Sequence, residues 1–385
     1  MSFIAVPFRS PLSVYEHQAE SLLAAHRAAD AAAIDLFHRK HPRFLDEKIK
    51  WLPKSIDASE IRDADLSLDD ARLTIARSYD FHDWPSLATW VEAVSQHGPV
   101  LAFETAVEAV VNGDLAALED ALRRDPALVR ARSGRVCAFD PPMHRATLLH
   151  YVAANGVEAY RQKTPPNAVE IARTLLEASA EPDALADMYG AECTTMSMLV
   201  SSSHPADAGL QVPLVELLLG FGAAIEGRGT RKRGTPVFTA LAFGMADAAR
   251  VLAKRGARID LPAAAGLGLV DDAARLLPSA DAEACHRGLS LAAQHGHAEI
   301  IRLLLDAGED PNRYNPASNH PHTTPLHQAV LGGHEAVVKL LVERGARLDI
   351  RDTIWQGTPL GWAIYGGGRA HPRMAECLRS LGAAV

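Results

Sequence analysis

Cysteine is scarce in this chain. There are four in 385 residues, Cys137, Cys193, Cys285 and Cys377, and no two form a CxxC pair. That argues against a disulfide framework or a cysteine-rich zinc module and fits a reducing, cytoplasmic compartment. Aromatic residues make up only 6% against 48% apolar overall, so the core must come from Ala and Leu packed between closely spaced helices. Positive charge is not in excess either: 39 Lys and Arg face 47 Asp and Glu, a formal net charge of −8. Such a chain has no general affinity for nucleic acid or an anionic membrane. No apolar run approaches the roughly 18 residues a membrane span needs. The start, Met1-Ser2-Phe3-Ile4-Ala5-Val6-Pro7, lacks the basic and apolar segments of a signal peptide. GxxxxGK[ST] is absent, as is GxGxxG after a strand, so no cofactor is expected.

What is present is a repeat. Near the C-terminus stands Thr324-Pro325-Leu326-His327, followed by Ala329-Val330, Gly332-Gly333-His334, Val337-Val338-Lys339-Leu340-Leu341 and Gly345-Ala346. Thr358-Pro359-Leu360 restarts the string, and Gly382-Ala383 closes it. Pro325 suits a first helical turn. Leu326, Ala329 and Val330 then recur at helical spacing. The glycines stop each helix, because only glycine enters left-handed geometry cheaply. Two short helices and a turn cannot bury their apolar faces alone, so neighbouring copies must stack.

These motifs resemble the ankyrin repeat, whose unit opens with Thr-Pro-Leu-His and ends with Val-Val-x-Leu-Leu and Gly-Ala. The resemblance implies an all-α solenoid of helix pairs joined by hairpin-like loops. Gly308, Gly345 and Gly382 stand 37 residues apart, against a family period of about 33. Insertions at 315–322 and 366–372 account for the excess. Earlier copies open at Thr147-Leu148-Leu149-His150, Thr194-Thr195-Met196-Ser197 and Thr235-Pro236-Val237. A short degenerate unit is expected from Leu261 to about Pro278. The first copy spans Phe103 to Val129, so residues 101–385 hold about eight units on this period. Residues 1–100 read differently, with helices at Glu16–Arg27, Ala31–Lys40, Leu68–Ser78 and Pro85–Val94. They resemble a helical leader found ahead of ankyrin repeats in bacterial proteins. Trp84, Leu87, Trp90 and Val91 form one face suited to capping the end of a stack.

Candidate functional residues lie where the chain departs from the repeat, since extra loop length is where repeat proteins place binding groups. His320 and His322 share one finger and could hold a divalent metal with Asp310 or Asp352. Trp355, Trp362 and Tyr365 could anchor a partner. Arg228, Arg231, Lys232 and Arg233 form a basic finger for an acidic partner or phosphate. Ser203 and His204, with Cys193 and Asp187, supply the residue types of a nucleophile, a base and a carboxylate. Tyr189 would be their companion in a small-molecule pocket. His150 and His327, by contrast, read as turn-ordering residues of the repeat.

Two classes of function therefore remain. One is an interaction module that binds another protein through a concave groove and loop fingers. The other is a hydrolase-like or lyase-like enzyme, or a small-molecule or metal binder, using the irregular middle. Convergence of His144, His150, Tyr189, Cys193 and His204 in one pocket would favour the second.

Overall fold

The structure is a computed structural model that describes residues 4–138, 142–229, 234–366 and 371–384. Among them no helix is long and apolar enough to cross a membrane. The chain is an all-α repeat solenoid that divides into two compact units, Met1–Gly222 and Ala223–Val385.

In the second unit the repeat appears in its regular form. Helix pairs run Pro236–Ala242 with Ala246–Lys254, Leu261–Leu267 with Val270–Leu276, Ala282–His295 with Ala298–Asp306, Pro325–Leu331 with Glu335–Glu343, and Pro359–Tyr365 with Pro372–Ser380. First helices pack on first helices, and second on second from Val270–Leu276 onward. Leu289, Ile300, Ile301, Leu326, Val338, Leu341, Leu360 and Leu378 carry the apolar stripe into one continuous core. The degenerate unit is as compact as its sequence implies. Gly268 turns the chain in left-handed geometry (φ +77°) directly between its two helices. Gly266 lies so close to the preceding unit that a Cβ there would meet Leu241 Cδ1 at 2.9 Å.

Histidines fasten one unit to the next. At Thr324 the backbone N–H and the hydroxyl both lie on His327 Nδ1, at 3.3 and 2.8 Å, closing a capping box. Nδ1 therefore accepts, and Nε2–H donates to the Gly357 carbonyl of the following unit at 3.2 Å. His150 repeats the arrangement with Thr147 and the Cys193 carbonyl. The Gly-His residues behave similarly: His297 Nε2 reaches Gly266 O at 3.1 Å and His334 Nε2 reaches Gln294 O at 2.9 Å.

The first unit opens with the helices Leu12–Arg27, Ala31–Lys40, Ala58–Arg62, Leu68–Ser78 and Trp84–Ser95. Tyr15, Leu22, Phe37, Ile61, Ile75, Phe81 and Leu87 form their core. Helices Pro99–Asn112, Leu115–Arg124, Leu148–Val152, Ala168–Glu177, Thr195–Leu199, Ser203–Asp207 and Gln211–Gly220 follow. Of the face expected to cap a stack, Leu87, Trp90 and Val91 are buried, while Trp84 is half-buried beneath the Arg72 guanidinium. An antiparallel hairpin, Ala186–Met188 with Ala191–Cys193, stands before the third helix pair.

Candidate functional site

The aromatic end of the second unit is built on one carboxylate. Asp352 is fully buried in the loop between two repeats. Its Oδ1 accepts from the backbone N–H groups of Ile354 and Trp355 at 2.9 and 2.6 Å. Its Oδ2 accepts from Gly357 N–H at 2.7 Å and from the indole N–H of Trp362 at 3.0 Å. Burial alone would raise this carboxyl's pKa. The four donors outweigh it and hold the group below the ordinary Asp value. Gly357 is required at this point, because a Cβ would meet Trp362 Cδ1 at 2.9 Å and Asp352 Oδ2 at 3.0 Å.

Around this cradle the rings gather. His322 lies 5.2 Å from Trp355 and 6.1 Å from Trp362, and the two indoles are 6.1 Å apart. Trp362 also packs edge-on against His327 at 5.4 Å. Trp362 is half-buried, but Trp355 is 54% exposed and Tyr365 82% exposed. His320 stands edge-on to His322, with ring centroids 6.0 Å apart. Its Nε2 contacts the Ala242 carbonyl at 2.8 Å and its ring packs on Phe243. The 315–322 insertion therefore folds back onto the end of helix Pro236–Ala242. Of the basic finger, Arg228 is exposed, and Arg231, Lys232 and Arg233 lie outside the described residues.

The middle segment does not assemble as one site. Cys193 is buried, and its thiol points to the Met188 and Ala191 carbonyls of its own hairpin. Ser203 and His204 are exposed on the short helix Ser203–Asp207. Tyr189, 57% exposed, sits at the hairpin tip and bonds Asn155 Oδ1 at 2.9 Å. Asp187 is held through its backbone N–H on the His144 carbonyl. Among the described residues, no hydrogen bond or ion pair joins His204 to Ser203, Cys193 or Asp187.

Residues 157–167, extra length between helices Leu148–Val152 and Ala168–Glu177, turn inward and supply a buried charge network that the repeat pattern gave no reason to expect. Arg161, 1% exposed, places Nη1 2.7 Å from Glu104 Oε2 and Nη2 3.0 Å from Glu108 Oε1. Arg135 Nε lies 3.0 Å from Glu158 Oε1. Its other nitrogens donate to Tyr160 Oη and the Tyr79 carbonyl, and its guanidinium covers Phe81 at 4.1 Å and Trp90 at 4.7 Å. Burial would raise the Glu158 pKa, yet Arg135, His144 and Arg161 hold it far below the usual range. The network joins the N-terminal helices, through Tyr79, Phe81 and Trp90, to helix Pro99–Asn112, through Glu104 and Glu108. Sequence offered one clue: Glu158 is a charged residue flanked on both sides by apolar ones, Val157 and Ala159.

Within this network, Cys137, His144 and Glu158 are the one group of three metal-ligating side chains close enough to share an ion among the described residues. Sulfur, nitrogen and oxygen donors would suit zinc. The imidazole is in the wrong tautomer for it. Ala146 N–H donates to His144 Nδ1 at 3.1 Å, so the proton sits on Nε2 and points at Glu158 Oε1, 3.1 Å away. A metal on Nε2 would have to displace that proton while Nδ1 still accepted the amide. The cluster is an internal hydrogen-bonded ion network.

Stacked helix pairs, threonine–histidine capping boxes and glycine-closed second helices define a helical repeat protein. Comparison with known proteins names the repeat. The family model for ankyrin repeats (3 copies) matches residues 261–353 and 289–384. The chain is 36% identical over 124 residues to human cyclin-dependent kinase 4 inhibitor B, covering 31% of this chain and 85% of that protein. It is 40% identical over 62 residues to an ankyrin repeat-containing protein of Schizosaccharomyces pombe, covering 16% of this chain and 28% of that one. It is 32% identical over 100 residues to mouse ankyrin repeat and SAM domain-containing protein 6, covering 26% and 11%. The last two are thus matched over less than a third of their own length. The chain belongs to the ankyrin-repeat family. Ankyrin repeats indicate a protein-interaction module.

Proposed function

We propose that this chain binds another protein through the loop fingers and first helices of its second unit, with the Trp355–Trp362–Tyr365 surface as the anchor. The carrying observation is the pairing of exposed and fixed aromatics. Trp355 and Tyr365 are open to solvent, while the adjoining Trp362 is locked by Asp352. Rigid aromatic area bound to a rigid scaffold loses little entropy on association and is the commonest kind of interface anchor. The relative matched over most of its length is named as an inhibitor of a protein kinase, which supports a protein as the partner. Arg228, Arg231, Lys232 and Arg233 supply positive charge for acidic groups on that partner. The four free cysteines and the acidic net charge fit a cytoplasmic setting without nucleic-acid or membrane binding.

The test is retention of proteins from native lysate on the full chain, read by quantitative mass spectrometry. A Trp355→Ala/Tyr365→Ala variant should retain the specific partner at least tenfold less well, a loss of about 1.4 kcal/mol or more. Trp51→Ala, which removes an equally exposed aromatic of the first unit, should change nothing. Equal retention by all three proteins sinks the reading.

A further inference from the structure

The first unit contains a cavity that the interaction reading does not use. It measures about 540 Å³ and lies between helix Trp84–Ser95, helix Pro99–Asn112 and the extended segment 131–136. That volume falls in the range of small-molecule sites, roughly 300–1,000 Å³. Trp90, Phe103, Pro99, Val100 and Val136 form its apolar lining. Val100 and Val136 each remain 38% exposed, so this apolar surface is wet.

The polar groups decide what it would take. Glu104 and Arg135 at the wall are each no more than 2% exposed and are neutralised by Arg161 and Glu158. They add no open charge. Asp83, also on the lining, is engaged by the Ser86 N–H and hydroxyl and by His82. One cationic group is left over. Arg132, on the lining and exposed, donates to the Arg145 and Leu185 carbonyls but has no ion pair among the described residues. An unneutralised guanidinium beside an apolar lining favours an acceptor-bearing anion.

We propose that this cavity binds a compact organic anion with a flat apolar body and a single carboxylate, the apolar part against Trp90 and Phe103 and the carboxylate toward Arg132. The site is independent of the aromatic surface of the second unit, so either can fail without the other.

The test uses 2-naphthoate and its uncharged methyl ester, titrated calorimetrically into the full chain. 2-Naphthoate should bind saturably, and the ester about tenfold more weakly, the loss of one charge-assisted contact. Arg132→Gln should weaken 2-naphthoate about tenfold and leave the ester unchanged. Val100→Trp, which fills the mouth, should abolish both, with thermal melting to confirm folding. If Val100→Trp fails to fold, Thr89→Trp at an exposed lining position replaces it. No saturable binding of 2-naphthoate at millimolar concentration overturns the proposal. So does binding that the filling variant leaves intact, or equal affinity for acid and ester.

Discussion

The two units solve one problem, how to bury helix faces, with different chemistry. In the second unit the buried side chains are apolar or neutral, and Asp352 is the sole buried carboxylate among the described residues, satisfied by four N–H groups. In the first unit Glu104, Arg135, Glu158 and Arg161 are all buried together and balance one another. A regular repeat meets a copy of itself, so matching apolar stripes suffice. The helices between Leu12 and Ser95 do not recur in that way, and directional ion pairs set their junction with helix Pro99–Asn112. The lesson is that irregularity in the chain marks where specific polar contacts replace generic packing.

That contrast can be broken by experiment, starting with the largest effect. Arg135→Met leaves Glu158 without its nearest buried cation and should lower the stability of the first unit by about 3–5 kcal/mol in urea denaturation. Adding Glu158→Leu to it should restore part of the loss. If the single substitution is silent, the network is not what holds the leader.

Next comes pH, where the units should agree. Burial lowers the pKa of His150 in the first unit and of His327 in the second to about 4. Unfolded, each returns to about 6.5. Between these values the unfolded chain binds more protons, so stability is complete above pH 6.5 and declines as pH falls toward 4. The limit is roughly 3 kcal/mol for each histidine. Replacing either by Gln should flatten the slope for its own unit; hydrogen exchange at pH 7 and pH 4.5 reads both. A slope that persists after substitution would assign the effect to other groups.

A smaller effect is expected at the aromatic end. Asp352→Ala frees four donors, should cost roughly 1–3 kcal/mol, and should red-shift the tryptophan emission as Trp362 loosens. Smallest of all, Trp355→Ala should move stability by less than about 0.5 kcal/mol, as exposed substitutions do, while still impairing partner binding. A larger loss would make Trp355 a packing residue.

The second unit was largely legible in advance. Thr324, Pro325, His327, Gly345 and the valine–leucine stripe are short-range signals, and each occupies the position its spacing implies. Even the degenerate Leu261–Leu276 pair was readable, because Gly266 and Gly268 leave almost no room for a loop. The insertions were not legible. The histidine loop at 315–322 reads as a projecting finger, but it folds back so that His320 meets Ala242, and the extra length at 157–167 turns inward with Glu158 and Arg161. A single chain shows that a loop is long, not which surface it finds.

Asp352 makes the same point on a smaller scale. The sequence offers it as a metal ligand beside His320 and His322, yet its oxygens accept from four nitrogens brought from two to ten residues away along the chain. Local periodicity and capping chemistry by themselves determined the repeat, its register and its helix ends, because those depend on residues within one turn of each other. Tertiary structure alone decided the buried ion network, the cavity beside Trp90 and the cradle that fixes Trp362. Those depend on which distant groups remain unsatisfied after packing, a quantity no local pattern contains.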